Sequence, residues 1–335
     1  MSFVSNNRYF NKYIHDFFGK NSTIKTNHTI CDVDSMDQCK NISNVDYINH
    51  ITDYNIFGDK YRHYDLLLEK LGYRPKFILK THLFNKNNVD KLDSIVRSKK
   101  IWIIKPQNDY GRHGVKIVRN MDDIKEWINR NNKFDNWILQ EYVDQPLLLD
   151  GKKFHFRIYC LINKNGDKIK LYAYKKGFIY TAGSNYNVNE INDKSHLSGE
   201  DNKTRVIVFD SNHELFPKIW NKIKNVLKMS VSPLYDKIIC PNNKHCYKFL
   251  GFDILIDENY DLYLAEINAR LISLKYPPNG FKRDLYNSIL NTVYLNNPVN
   301  MDLLDVSNNY SVYIALLIFI AVCIIIFFIL RKKFN

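Results

Sequence analysis

Short apolar or alternating runs in the middle of the chain predict β-strands, because a half-buried strand repeats every two residues. The predicted strands are 101–105, 116–119, 137–142, 154–163, 168–174, 249–256 and 262–267. Apolar residues three or four apart predict helices at 121–131 and 216–230. Residues 164–167 have the composition of a hairpin turn, and the polar segment 185–202 predicts a surface loop near a site. The pattern as a whole predicts a mixed α+β fold.

The C-terminal end carries an almost uninterrupted apolar run at 312–330, followed by Arg331, Lys332 and Lys333. About 19 residues at about 1.5 Å each span about 28 Å, the thickness of a bilayer core. A core helix of a soluble domain keeps a polar face and this run has none, so it predicts a transmembrane helix. The basic triplet alone favours a cytosolic tail, but residues 1–20 contain no signal-peptide core that could export the chain. We therefore expect a single-pass membrane protein with a C-terminal tail anchor and its remaining residues in the cytosol.

The formal net charge of +13 predicts attraction to nucleic acid, anionic lipid, nucleotide phosphates or acidic protein tails. No nucleic-acid-binding motif accompanies it, so we expect no nucleic-acid partner. The six cysteines are too scattered for a disulfide framework. The group formed by Cys240, His245 and Cys246 leaves open a zinc site or plain loop cysteines, and the missing fourth ligand favours loop cysteines.

A strand at 101–105 ends in Lys105 and is followed by a loop with Gly111, Arg112 and Gly114. Backbone N–H groups of such a loop can cover phosphates while an ammonium group binds their charge. The alternative is a lysine that extends to solvent and glycines that only turn a hairpin.

A second block runs from 137 to 143 and continues to Lys153 and Arg157. The end of an apolar strand can offer backbone N–H and C=O groups to an adenine edge. Lys153 and Arg157 are four apart in a strand, so they share one face and together favour an anion between them. Alone, such a pair is more typical of solvated surface charge.

The third block places acids inside apolar strands. Asp253 interrupts the strand 249–256, and Glu266 and Asn268 lie two apart at the end of the next strand, hence on one face. Such oxygen ligands, completed by phosphates and water, suit Mg²⁺. A structural salt bridge is the alternative, and we favour the metal site.

Together the three blocks resemble the tubulin-tyrosine ligase-like family. The motifs are W-I-x-K-P, then Q-x-Y-V with P-L-L-x-x-G-x-K-F-x-x-R, then G-F-D-I-L-I-D with L-x-E-I-N-A, in the family's order over residues 74–274. The resemblance implies an ATP-grasp fold with a small N-terminal α/β domain. It also implies an ATP-dependent carboxylate–amine ligase that joins a free amino acid, of glutamate or tyrosine type, to an acidic protein acceptor such as a tubulin tail, through an acylphosphate.

The resemblance also implies a role for each matching residue. Binding of ATP is implied for Lys105, Gly111, Arg112, Gly114, Gln140, Glu141, Tyr142, Val143, Lys153 and Ser198. Binding of Mg²⁺ is implied for Asp253, Glu266 and Asn268. Catalytic roles at the transferred phosphoryl group are implied for Arg157 and Lys153.

The chain departs from the family's motifs at several positions. His155 replaces a carboxylate, Tyr180 stands where an arginine is usual, and Gly199 stands where an asparagine is usual. These departures leave open a ligase for another acceptor, or a nucleotide-binding pseudoenzyme that acts as a membrane adaptor. We expect an N-terminal domain at 1–73, a catalytic domain at 74–296, a linker at 297–311 and the membrane helix at 312–330.

Overall fold

The computed structural model describes residues 13, 16–17, 19–20, 47–109, 112–199, 205–241, 245–269 and 280–307. Strands in the first half of this part are β1 Tyr47–Ile48, β2 Thr81–Phe84, β3 Trp102–Pro106, β4 Lys116–Val118, β5 Trp137–Glu141, β6 Leu148–Leu149 and β7 Lys152–Asn165. The later strands are β8 Lys168–Tyr174, β9 Gly177–Thr181, β10 Val206–Phe209, β11 His245–Ile256, β12 Leu262–Asn268 and β13 Met301–Val306. The helices are α1 Asn55–Gly58, α2 Lys60–Leu71, α3 Asp93–Arg97, α4 Met121–Arg130, α5 Asp193–His196, α6 Phe216–Val231 and α7 Phe281–Tyr294. Short 3₁₀ helices cover Val89–Leu92 and Ser232–Lys237.

Two sheets organise the described residues. The larger has nine strands, with a path β1-β11-β7-β8-β13 and with β6, β9, β10 and β12 attached to it. The smaller has the order β2-β5-β3-β4, and its strands are all antiparallel. The strands and helices predicted from the hydrophobic pattern are confirmed. Their observed ends lie within two residues of the predicted ones, except that β11 begins at His245 and not at 249.

The long strand β7 lies at the centre of the larger sheet and pairs with β11, β8, β9 and β6. One face of β7 carries Phe154 and Phe156, which share a buried core with Ile219 and Ile223 of α6. Ile48, Phe57 and Leu67, from the segment before β2, belong to this same core. The N-terminal elements and the large sheet are therefore packed together.

The opposite face of β7 is covered along only part of its length. Tyr159 and Leu161 pack with Phe281 and Leu285 of α7. The residues of the same face at the start of β7 are not in that cluster and line a cleft instead. Lys153 and His155 line the cleft from this stretch of β7, and Arg157 follows on the same face.

The predicted membrane anchor needs correction. Within the described residues, none of the helices combines the length and the apolar character that crossing a bilayer requires. The segment 312–330 lies outside those residues. The fold class of the described residues is therefore corrected to a mixed α/β fold, consistent with an ATP-grasp protein, and these residues support neither the predicted single-pass location nor a membrane partner.

The prediction of plain loop cysteines at 240–246 is also wrong. Cys240 and Cys246 form a disulfide that joins the segment before β11 to its second residue. A spacing of six residues is short enough for the two Cα atoms to approach to 5.4 Å. Both positions are buried, and the disulfide uses the sulfur atoms that a zinc site would need.

Candidate active site

A cleft that is open to solvent at its mouth lies between the two sheets. The smaller sheet contributes the ends of β3 and β5. The larger sheet contributes the start of β7 and the second halves of β11 and β12. One part of the wall is apolar, lined by Leu79, Ile103, Val115, Leu255 and Ala265. The rest is polar, so the cleft can hold a ligand with a flat apolar group and a charged group.

Lys105 lies on the floor of the cleft at the end of β3, and it is 8% exposed. Its Nζ donates to Gln140 Oε1 at 3.0 Å, and Gln140 Nε2 donates to Thr81 Oγ1 at 3.0 Å. Burial lowers the pKa of Lys105 to about 8, although Glu266 favours its charge. An anionic ligand would raise this pKa, since a nearby opposite charge favours the ionised form.

Lys153 extends from β7 toward the same floor. Its Nζ donates to Val143 O at 3.0 Å and lies 3.6 Å from the centre of the Tyr142 ring. Burial, and next the charge of Lys105, hold the pKa of Lys153 well below its usual value. Two buried lysines that repel one another when charged are an arrangement that a polyvalent anion would stabilise.

The backbone at the end of β5 has specific partners. Glu141 N donates to Lys80 O at 2.9 Å, and the Glu141 carboxylate accepts from Lys80 N at 3.0 Å, away from the cleft floor. Tyr142 Oη pairs with His196 Nδ1 at 2.8 Å. This arrangement fixes the segment that was predicted to border an adenine ring.

The loop after β3 forms one side of the cleft. Gly111 lies outside the described residues, whereas Arg112 lines the cleft and its Nη1 donates to Leu197 O at 3.3 Å. Gly114 has a φ of +70°, and a Cβ there would lie 2.7 Å from Pro106 Cγ. Only glycine adopts this conformation in this space without strain.

Acidic and amide groups meet on the larger sheet because of its strand register. Asp253 lies opposite Arg157 across β7 and β11, and opposite Glu266 across β11 and β12. A bulge at Ala265 shifts the alternation of β12, since Glu266 pairs with Asp253 while Leu264 pairs with Ile254. The bulge lets Leu264 and Ile267 face the core while Ala265 and Glu266 line the cleft.

Arg157 binds Asp253 with both arms of its guanidinium, through Nε to Oδ1 and through Nη2 to Oδ2 at 2.9 Å. Asn268 Nδ2 approaches the same Oδ2 at 3.3 Å. Burial opposes both charges, but Asp253 raises the pKa of Arg157, and Arg157 with His155 lowers the pKa of Asp253. The pair is therefore ionised at neutral pH.

The donor set suits a hard cation. Within the described ranges, no group of three or more His, Cys, Asp or Glu side chains is arranged to hold a metal unaided. Asp253, Glu266 and Asn268 supply two carboxylates and an amide oxygen, which fits Mg²⁺ provided that phosphates and water complete the shell. Asp253 would have to share its oxygens with Arg157.

His155 and Tyr180, which depart from the family motifs, contact each other, and the third such position, Gly199, follows Ser198 in the chain. His155 stacks on Tyr180 with ring centres 5.3 Å apart, and its Nδ1 is 2.7 Å from Ser198 Oγ. The other ring nitrogen lies 3.8 Å from Asp253 Oδ1. Burial lowers the pKa of His155 to about 4, so the imidazole is neutral. These substituted positions thus form one local cluster beside Asp253.

The sequence pattern missed Lys60. It lies in α2, far from the motifs in sequence, yet its Nζ donates to Asp109 O at 2.5 Å and lies 3.8 Å from Glu266 Oε2. The preceding residue, Asp59, caps α2 and also accepts from Gln107 Nε2 at 2.9 Å, which fixes the helix start against the cleft. The sequence around Lys60 shows only Asp59 as a helix N-cap, and an N-cap does not indicate that the next residue binds a ligand.

His196 was also missed as a positioning residue. Its Nε2 faces the carbonyl oxygens of Asn187 and Glu190 at 3.0 and 3.1 Å, so that nitrogen carries the proton. Its Nδ1 is then the acceptor for Tyr142 Oη. His196 therefore joins the loop after β9 to the wall of the cleft.

Comparison with known proteins gives a family. The family model described as "Tubulin-tyrosine ligase family" matches residues 38–205 and 200–300, most of the chain. A protein named "Probable tubulin polyglutamylase" from Caenorhabditis elegans is 28% identical over 192 residues, which cover 50% of this chain and 45% of the relative.

In other relatives the aligned segment is a smaller share of the relative's length. A tubulin polyglutamylase of Homo sapiens is 28% identical over 51% of this chain and 22% of its own. Tubulin glycylase 3B of Drosophila melanogaster is 24% identical over 51% of this chain and 26% of its own. The chain thus aligns with less than half the length of each of these curated relatives.

Proposed function

The chain belongs to the tubulin-tyrosine ligase family, and we propose that it is a ligase that uses ATP and Mg²⁺ to join an amino acid to a protein carboxylate. The observation that carries the proposal is the convergence of Lys105, Lys153, Asp253 and Glu266 on one cleft, with Arg157 bound to Asp253. Cations on the floor and acids on the wall suit a triphosphate and its metal ion. The names of the relatives support glutamate or glycine as the amino acid and tubulin as the acceptor.

The site residues divide the nucleotide between the two sheets. Lys105 and Lys153 would bind phosphate oxygens, with the loop carrying Arg112 and Gly114 over them. The segment 140–143 would border the adenine, whose flat face fits the apolar wall. Asp253, Glu266 and Asn268 would hold Mg²⁺, which supplies positive charge to the phosphate oxygens when bound.

The reaction needs an activated carboxylate, because a carboxylate and an amine do not condense at neutral pH. The acceptor carboxylate attacks the γ-phosphorus, ADP leaves, and an acylphosphate forms. Lys105, Lys153 and Arg157 neutralise charge on the transferring group and align it. The amine of the amino acid then attacks the acyl carbon, and phosphate leaves as the amide bond forms.

The acceptor is an acidic protein segment. The net charge of +13 favours association with an acidic tail such as that of tubulin, through long-range attraction and complementary contacts. Another acidic acceptor would satisfy the same charge, so a panel of acceptors is part of the test.

A second candidate is a nucleotide-binding protein without turnover. Arg157 uses both carboxylate oxygens of Asp253, and His155 with Tyr180 replaces charged residues of the family motifs. If this ion pair persists when ATP binds, Mg²⁺ is held by fewer groups and the phosphoryl group is not transferred. Such a protein would act as an adaptor for an acidic partner.

The test uses the full chain with Mg²⁺, ATP, tubulin and separately labelled glutamate, glycine and tyrosine. Wild type is compared with Glu266→Gln and with Glu258→Gln, a matched change at an exposed acid outside the cleft. Label transfer that is lost in Glu266→Gln and kept in Glu258→Gln supports the ligase and identifies its amino acid. ATP binding without ADP release or label transfer, for all acceptors, supports the adaptor.

A further inference from the structure

Ser198 places a hydroxyl group in the cleft, and its backbone is fixed by pairing with a neighbouring segment. It follows α5 and forms an isolated antiparallel bridge with Ala182, which continues β9. Its side chain lines the same cleft as Lys105 and Lys153. The ligase reaction proposed above needs no hydroxyl nucleophile at this position.

The Ser198 hydroxyl group has a hydrogen-bond acceptor, His155. Ser198 Oγ lies 2.7 Å from His155 Nδ1, and the opposite ring nitrogen faces Asp253 Oδ1 at 3.8 Å. A carboxylate on that side favours the tautomer with the proton on Nε2. His155 Nδ1 then accepts from the Ser198 hydroxyl, and Tyr180, stacked on the imidazole, keeps the ring in plane.

A cation lies along the backbone at Ser198. Arg112 Nη1 donates to Leu197 O at 3.3 Å, and a Cβ on Gly199 would lie 3.4 Å from that same nitrogen. The guanidinium thus binds the residue before Ser198 and lies near the residue after it. A hydroxyl with a hydrogen-bond acceptor and an adjacent arginine is the arrangement used in phosphoryl transfer to alcohols.

The imidazole of His155 also relates Ser198 to the proposed position of the ATP phosphates. One imidazole separates Ser198 Oγ from Asp253, and Asp253 is the proposed ligand of the ion that accompanies ATP. The γ-phosphoryl group, which is the end of ATP nearest the acids, would therefore lie near the hydroxyl.

We propose that Ser198 accepts the γ-phosphoryl group of bound ATP when no acceptor carboxylate occupies the cleft. This rests on the ATP-binding site proposed above. A bond forms between Ser198 Oγ and the γ-phosphorus, and the bond from that phosphorus to the bridging β–γ oxygen breaks. ADP leaves with the electron pair, and the hydroxyl proton is released to solvent.

The modification would limit itself. A phosphoserine adds about two negative charges and can pair with Arg112 beside it. The added charge would repel the γ-phosphate of the next ATP and would occupy the space of the acceptor. The chain would then be held in an inactive form until the phosphate is removed.

The experiment incubates the full chain with Mg²⁺ and ATP labelled in the γ-phosphate, without tubulin or amino acid. Acid treatment removes acylphosphate and phosphohistidine but leaves a serine ester, and peptide mass spectrometry assigns the site. Ser198→Ala should lose the acid-stable label, Ser198→Thr should carry it on a threonine hydroxyl, and Ser184→Ala, in the same loop, should keep it. Binding of Mg²⁺–ATP is measured on each sample.

Each outcome decides the question. Acid-stable label at position 198 that follows the hydroxyl in Ser198→Thr supports the proposal, as does a lower yield when acceptor and amino acid are added. Wild type that binds Mg²⁺–ATP but gains no phosphoserine at 198 overturns the proposal and leaves the proposed function standing. Wild type that does not bind Mg²⁺–ATP overturns both. Acid-stable label that persists in Ser198→Ala assigns the reaction to another residue.

Discussion

Replacing Asp253 with asparagine tests whether its ion pair with Arg157 is a buried structural element. The side chains are 10% and 17% exposed, and the guanidinium binds both carboxylate oxygens. Removing one partner of a buried pair leaves an uncompensated charge and costs about 3–5 kcal/mol. Because one side of this pair faces an open cleft, we expect Asp253→Asn to lower the free energy of unfolding by about 3 kcal/mol, the lower end of that range.

The measurement is urea unfolding of the full chain followed by circular dichroism. A matched control exists at the surface, where Arg62 binds both oxygens of Asp53 with side chains 45% and 40% exposed. Asp53→Asn should cost less than about 1 kcal/mol. Adding Arg157→Met to Asp253→Asn should recover stability, because the unpaired charge is removed. If Asp253→Asn and Asp53→Asn cost the same, the pair is screened by water and the reasoning is wrong.

Three further results are expected. Because burial lowers the pKa of Lys105 to about 8, its charge is lost as the pH rises above that value, so ATP affinity should fall about tenfold per pH unit; Lys105→Arg should flatten the profile, and an unchanged wild-type affinity would contradict this. Gly114→Ala should destabilise the chain by about 1–3 kcal/mol more than Gly166→Ala, because both have positive φ but only Gly114 meets a crowded wall; equal melting temperatures would refute it. Reducing the Cys240–Cys246 disulfide, which closes a short loop, should cost about 2 kcal/mol in urea unfolding, and no change would show that the loop is equally restricted when reduced.

Local sequence pattern was sufficient for much of the fold. Alternating and apolar runs predicted β7, β11 and β12 because these strands bury one or both faces, which the sequence records directly. The same parity argument placed Lys153 with Arg157, and Glu266 with Asn268, on shared faces. Whether these residues bind ATP and Mg²⁺ stays a prediction.

Features that depend on distant contacts were not accessible from local pattern. Lys60 reaches the cleft only because α2 packs against the large sheet, and His196 matters only because its loop folds onto Tyr142. The disulfide was missed because a pair of cysteines gives no geometry by itself. The apolar run at 312–330 was interpreted from hydropathy alone, and the described residues contain no membrane helix to support an anchor. The predicted boundary at residue 73 stays a prediction.

Pairing of β1 with β11 sets an order on how the molecule can be completed. Tyr47 pairs with His245, so the first described strand has no sheet to join until β11 has left the ribosome. Lys60 likewise waits for Glu266, which is made later still. During synthesis the smaller sheet can form early from neighbouring strands, whereas contacts between distant residues form late. The cleft would therefore be completed late, and a nascent chain stalled before β12 would lack the part of its wall that Ala265 and Glu266 supply.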